Sequence, residues 1–226
     1  MKFKVRGSLR FLSHAETIKV FQRACVRAGI KIQYSQGFNP RPKLYLPLPR
    51  SVGVETDDDL LCLRVSLSES RTTTDESQIK TGLTEQLPDG VELLSVTTVP
   101  ALTEITSSPQ QQRAKTLPQA IAATYLMPVQ RQYINEELKS RIRHLLASKS
   151  LNLQRQTDPK KSKFKDVDVR PFLKSLQLNN GNIAVECKIS PAGSIRIDEI
   201  LKLLQLDAEK LAAPIRRTSI QWQNSE

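Results

Sequence analysis

The sequence is short of the residues from which most catalytic and metal centres are built. Its 226 residues hold two histidines, His14 and His144, and three cysteines, Cys25, Cys62 and Cys187. An odd number of distant cysteines with no CxxC pair argues against a disulfide framework and points to a reducing compartment. Three scattered thiols cannot supply the closely spaced thiolates of an iron–sulfur cluster. No Ser-His-Asp order, H-E-x-x-H, G-x-x-x-x-G-K or G-x-G-x-x-G occurs, so no familiar hydrolase, zinc or nucleotide site is present. No apolar run approaches the roughly 20 residues of a membrane span. The start, MKFKVRGSLRF, lacks the apolar stretch of a secretory leader. The expectation is a cytoplasmic chain that stays off membranes, with no metal and no cofactor site of its own.

Acidic residues are nearly missing from the first fifth. Residues 1–50 carry eleven Lys/Arg against one acid, Glu16. Residues 51–120 reverse this, with five basic and eleven acidic side chains, and residues 121–226 hold eighteen basic and eleven acidic. A net charge of +11 arranged in blocks fits a basic face for a polyanion better than uniform solubility.

Periodicity gives the organisation. Lys2 to Arg6 alternates as a strand and Gly7-Ser8 is a turn. Ser13 to Gly29 is a helix: Ser13 and Glu16 have capping-box spacing, Ile18, Phe21, Cys25 and Ala28 share one face, and Gly29 is its stop. Ile30 to Tyr34 is a strand, Leu60 to Leu67 a central strand, and Asp75 with Gln78 a second capping box before Ile79, Leu83 and Leu87. Pro88-Asp89-Gly90 turns into a strand over Val91 to Val96. The polar stretch from Ser107 to Thr116 marks a linker. Beyond it, Tyr125 to Gln130 is a strand and Asn135 caps a helix carrying Leu138, Ile142, Leu145 and Leu146. Leu151 to Gln156 is a strand, and Asn179-Asn180-Gly181-Asn182 signals a hairpin between Val167–Leu178 and Ile183–Ile189. Ile197 to Leu204 is a helix and Thr218 to Gln223 the last strand. Each half reads β-α-β-β-α-β. The expectation is an α+β protein of two tandem ferredoxin-like (βαββαβ) modules, residues 1–106 and 120–226, joined by a linker over 107–119.

Several constellations could carry function. Lys19, Arg23 and Arg27 recur four apart on the first helix, with Arg10, Arg41 and Lys43 near in sequence. They suit a phosphate backbone, or a plain solvated face. The loop Tyr34-Ser35-Gln36-Gly37-Phe38-Asn39-Pro40-Arg41-Pro42-Lys43 mixes aromatics with cations. Tyr34, Phe38 and Tyr45 could stack on unpaired bases while Gln36 and Asn39 offer hydrogen bonds and Arg41 and Lys43 hold phosphates. The plain structural alternative has the aromatics plugging the core, and Phe38 is the one most expected to be buried. His14 is a candidate general base, or simply a helix-start residue. In the second half Asp168 and Arg170 are expected on one strand face as an ion pair, with a catalytic carboxylate the rarer reading. The Lys160–Lys165 run is a second anion contact or a solvated loop. Arg216 and Arg217 form a further cationic pair.

The residues also form a recognisable series. Arg10-Phe11-Leu12-Ser13-His14-Ala15-Glu16 resembles the R-F-L-S-H-x-D/E signature of the radical SAM-linked protein family (DUF2344), a bacterial domain of unknown function. Tyr34-Ser35-Gln36-Gly37-Phe38-Asn39-Pro40 with Pro42-Lys43 resembles its Y-S-x-G-F-N-P-x-P-K block. Leu48-Pro49 through Val52-Gly53-Val54-Glu55, Asp168-Val169-Arg170-Pro171 and Arg216-Arg217-Thr218 are similar to its remaining elements. Glu16 stands where Asp is commoner, and Arg196-Ile197-Asp198-Glu199 lacks the proline of the usual R-P-D-E. The resemblance implies a partner radical SAM protein, which would carry the Fe-S cluster and S-adenosylmethionine that this chain does not. It also implies work on RNA, because such genes often lie near ribonuclease and ribosomal-protein genes. Tandem ferredoxin-like modules are similar as well to CRISPR repeat-processing endoribonucleases, an analogy of fold alone.

Three functions follow as expectations. The first is an RNA-recognition module, for tRNA or rRNA and without DNA specificity, acting with a separate radical SAM enzyme. The second is a metal-independent RNA-processing enzyme using His14 as general base. The third is an assembly scaffold for a radical SAM partner.

Overall fold

The computed structural model describes residues 1–65, 75–99, 118–158 and 163–223. The expected linker falls largely outside these residues, as do Lys160, Lys161 and Ser162 of the basic run. The protein is mixed α+β, with four α-helices among the described residues and antiparallel strand pairing, and divides into two units, Met1–Gln119 with Trp222–Glu226, and Ala120–Gln221. No helix among the described residues is long and apolar enough to cross a membrane.

The first unit runs β1 (Lys2–Val5), a 3-10 turn (Gly7–Phe11), α1 (His14–Arg27), β2 (Leu44–Tyr45), β3 (Glu55–Leu60), β4 (Cys62–Leu63), α2 (Glu76–Thr84) and β5 (Val91–Ser95). β1 lies between β3 and β5, antiparallel to both, with Val5 opposite Thr56 and Val91. β2 pairs with β4, Leu44 against Leu63. Phe3 and Val5 turn inward from β1 to meet Phe21, Ala24 and Cys25 of α1. The Phe3 and Phe21 rings stand edge to face at 4.7 Å, the favoured aromatic geometry.

Two expectations for this unit change. The strand expected at Leu60–Leu67 begins at Glu55 and is broken at Leu61. Its inward positions include Thr56 and Asp59, buried and joined by a 2.6 Å hydrogen bond, so no apolar alternation announces it. Ile30 to Tyr34 is not a strand but makes isolated bridges, Ile32 to Val65 and Tyr34 to Pro42. Prolines at 40 and 42 deny the ladder its donors there.

The second unit runs β6 (Ala120–Pro128), α3 (Glu136–Ala147), β7 (Asn152–Asp158), β8 (Lys163–Asp168), a 3-10 turn (Arg170–Phe172), β9 (Leu173–Asn179), β10 (Asn182–Ser190), β11 (Gly193–Ser194), α4 (Ile197–Leu204) and β12 (Arg216–Trp222). β10 pairs with β6 on one side and with β9 and β11 on the other, and β12 follows β6. The hairpin between β9 and β10 turns at Asn180 and Gly181, both with positive φ (48° and 82°), the conformation that an Asn-Gly pair tolerates best. The strand expected at Leu151–Gln156 exists as β7, but it pairs only with β8 as a two-stranded ribbon. The expected Val167–Leu178 strand is divided by the 3-10 turn at Pro171.

Candidate nucleic-acid interface

The basic block at the start of the chain separates into two groups once folded. β1 presents Lys2, Lys4 and Arg6, and each meets an acid. Lys2 Nζ lies 3.0 Å from Asp58 and Lys4 Nζ 3.1 Å from Glu92, while Arg6 pairs with Asp57 and lies 3.7 Å from Glu55. Arg50 is buried, with Nε 3.9 Å from Asp59. The acids of residues 51–120 thus neutralise four of the eleven cations. The other seven are Arg10, Lys19, Arg23, Arg27, Lys31, Arg41 and Lys43. Among the described residues, none of these has a carboxylate within 4 Å. They lie on the turn before α1, on α1 itself, and on the segment after it.

α1 starts where the sequence places it. Ser13 Oγ accepts from the Glu16 N–H (3.3 Å), and Glu16 accepts from the Ser13 N–H (2.8 Å) and hydroxyl (2.7 Å). These bonds, the hydroxyl first, hold the Glu16 carboxyl below its ordinary value. Thr17, Phe21, Ala24 and Cys25 are buried, which leaves Lys19 and Arg23 outward and exposed. Arg27 is tied: its guanidinium donates to the Gln86 carbonyl at 2.7 Å. His14 occupies the first helical position, exposed, with no hydrogen bond to any described side chain that would orient its imidazole. Arg10 lies over the ring of Phe11, 4.3 Å from its centroid, and donates to the Gly7 carbonyl at 2.8 Å.

The loop after α1 closes on itself. The Ser35 N–H donates to the Arg41 carbonyl (2.8 Å), the Arg41 N–H to Ser35 Oγ (2.9 Å), and the Lys43 N–H to the Gln33 carbonyl (2.7 Å). The Gln33 N–H donates to Arg64 and the Arg64 N–H to Lys43, at 2.8 and 2.9 Å, which anchors the base. Gln36, Gly37, Phe38, Asn39 and Pro40 form an exposed tip, with Gly37 at φ +122°, a backbone state that suits only glycine. Phe38, the aromatic most expected in the core, is fully exposed at 106%. The Ser35–Arg41 bonds close the loop below it and leave its ring no path inward. Tyr34 is 44% exposed. Tyr45 leaves the stacking set: it is half-buried opposite Cys62, and burial first, then the Cys62 thiol, push its phenol up.

The second-unit candidates are engaged within the fold. Asp168 accepts from the Leu151 N–H (2.8 Å) and the Arg170 N–H (3.0 Å). The Arg170 guanidinium donates to the carbonyls of Leu146 (2.8 Å), Ser148 (3.0 Å) and Leu173 (2.9 Å), so it closes the end of α3. The expected ion pair on one strand face does not form, because β8 ends at Asp168 and Val169 turns the chain at φ −95°, ψ −5°. Of the further cationic pair, Arg217 is 1% exposed and Arg216 half-buried.

Sequence reasoning passed over three features. Arg50 donates to the carbonyls of Leu9, Arg10 and Val54, and so joins the two segments around Arg10 and Gly53. Phe11 is 57% exposed. Arg155 of β7 grips the buried Glu199 at 2.6 and 2.8 Å, and Glu199 also accepts from the Arg196 N–H (2.8 Å). The last had half a signal, a glutamate three residues after Arg196 that can reach back to the backbone N–H before the helix, while the arginine side chain has no acceptor to return the bond. Burial pushes the Cys25 thiol up to about 11 and the Cys187 thiol to about 12, and among the described residues no three His, Cys, Asp or Glu side chains converge. The model of one protein family, described as an uncharacterized protein conserved in bacteria (DUF2344), matches residues 1–202. Comparison with curated proteins finds no match.

Proposed function

The chain belongs to the DUF2344 family of bacterial proteins, and from the site it builds we propose that it is an RNA-recognition module. One observation carries the proposal. A fully exposed phenylalanine stands at the tip of a closed loop, followed by Arg41 and Lys43, cations with no carboxylate within 4 Å among the described residues. Exposing a whole Phe ring forgoes about 1.5–3 kcal/mol of burial. Stacking on an unpaired base returns a similar amount, about 1–3 kcal/mol. Lys19 and Arg23 add attraction for phosphates by counterion release.

The same reading takes each unit as a ferredoxin-like module. Both run strand, helix, a set of strands, helix and strand, with the first strand between one of that set and the last: β3-β1-β5, and β10-β6-β12; β4, paired with β2 apart from this sheet, and β11 are then additions to the six-element plan. The β7–β8 ribbon is then an insertion. The chemistry belongs to a separate radical SAM enzyme, in modification of tRNA or rRNA. The support for that partner is the resemblance of the Arg10–Glu16 and Tyr34–Lys43 blocks. His14 as general base gains nothing from the geometry, since no acid among the described residues orients it.

Fluorescence anisotropy with total tRNA and with a single-stranded oligoribonucleotide tests the proposal. Binding should weaken steeply with salt, and Phe38→Ala should weaken it about 5- to 100-fold. Absence of binding at low salt, or binding indifferent to salt, refutes it. Recovery of a radical SAM protein from RNase-treated lysate would favour the scaffold function instead.

A further inference from the structure

We propose that Phe11, with the Arg10 guanidinium over its ring, is a second stacking platform, and that the RNA taken is an unpaired tract running from it across α1 to Phe38. This deepens the RNA reading above and rests on it.

Phe11 is 57% exposed with a cation 4.3 Å from its centroid, so it offers an aromatic face and a positive charge at one place. The platform is fixed before any ligand arrives. The Arg10 carbonyl accepts from the Gly53 N–H (2.9 Å) and from Arg50 Nη1 (2.8 Å), and the Gly7 N–H donates to Glu55 (3.0 Å). A rigid ring loses little entropy on stacking. Glu55, tied to this turn through Gly7, is also 3.7 Å from Arg6, which offsets its charge.

The two platforms are tied to opposite ends of the β3–β4 segment. The Arg10–Phe11 turn is tied to Gly53 and Glu55 at the start of β3. The Phe38 loop is tied to Arg64 and Val65 beyond the end of β4. The nine residues from Glu55 to Arg64 reach at most about 30 Å at 3.3 Å per residue, and less across the break at Leu61, where the chain passes from the sheet of β1 to the β2–β4 pair. Between them α1 spans about 20 Å and turns Lys19 and Arg23 outward. A strand stacked at about 3.4 Å per nucleotide covers that distance with on the order of nine nucleotides, fewer if its bases are splayed. A paired duplex cannot present base faces to either ring, so the substrate class is a single-stranded segment of roughly six to nine nucleotides.

Anisotropy with labelled oligouridylates of about 3, 6, 9 and 12 nucleotides reads this footprint. For the unaltered protein, affinity should climb with length and level off near nine. In Phe11→Ala and in Phe38→Ala the longer oligomers should lose about 5- to 100-fold and gain little over the shortest. Phe11→Trp should restore the length dependence. Phe11 is exposed, so an unchanged melting temperature shows that the variant is folded. If Phe38→Ala weakens binding while Phe11→Ala changes nothing at any length, the second platform is refuted and the RNA reading stands. Affinity already level at three nucleotides, or equal binding of a duplex, overturns the tract as well. If the unaltered protein binds no oligomer at low salt, the RNA reading itself fails.

Discussion

Glu199 keeps its charge in a buried place because two donors face it. Burial raises its carboxyl pKa, and the Arg155 guanidinium with the Arg196 amide outweighs that and brings it below the ordinary 4.5. A carboxyl depressed in the folded state stabilises the fold above its unfolded value, and that stability is lost as pH falls through the folded value. Melting curves between neutral pH and the range below 4.5 should therefore lose stability on acidification. Glu199→Gln should flatten that loss, and an unchanged acid limb in the variant would count against the assignment. At neutral pH, Arg155→Ala leaves the carboxylate unpaired and should cost about 3 kcal/mol in chemical denaturation. Ser13 is a milder case. Its replacement by Ala removes an N-cap and should cost about 1 kcal/mol, read the same way.

Among the elements, α3 depends on a residue far beyond its own end. Arg170 sits two dozen residues downstream of Leu146 and satisfies two of the carbonyls that a helix end leaves open. Arg170→Lys keeps the charge but not the planar fork, and hydrogen bonds to charged groups are worth about 1.5–3 kcal/mol each. The variant should show a urea midpoint lowered by at least about 2 kcal/mol equivalent, with faster amide exchange in the last turn of α3. Equal midpoints would mean that water serves those carbonyls as well. The same contrast explains what the sequence disclosed. α1 was legible because its cap, apolar face and glycine stop are all local. The Asn180-Gly181 turn was legible because only such residues take its backbone angles without strain. β3 was not, since Thr56 and Asp59 occupy buried positions that a strand ordinarily gives to apolar residues. Arg50 was one cation among eleven until the fold brought Leu9, Arg10 and Val54 around it. The exposure of Phe38 was hidden for the opposite reason: the residue type argues for burial, and the closing Ser35–Arg41 contacts decide otherwise.

At the scale of the whole molecule, where charge stands counts for more than how much there is. Lys19→Ala with Arg23→Ala removes two cations that have no carboxylate within 4 Å among the described residues, and should reduce the slope of log affinity against log salt by about 1.4 for single-stranded RNA. Lys2→Ala with Lys4→Ala removes the same formal charge from pairs already neutralised, and should leave that slope nearly unchanged. Equal effects from the two double variants would show that the ligand senses net charge alone. The placement of β1 between β3 and β5 has a consequence for synthesis. The central strand is made before both of its neighbours, so it has no partner until Glu55–Leu60 emerges, and no second one until Val91–Ser95 does. At about 5–20 residues per second, that second partner arrives on the order of 5–20 seconds later. Until β3 emerges Lys2 and Arg6 lack the acids that will neutralise them, and Lys4 lacks Glu92 for the whole interval. For those seconds the nascent chain is more cationic around this strand than the protein it becomes, in an exit path walled by RNA.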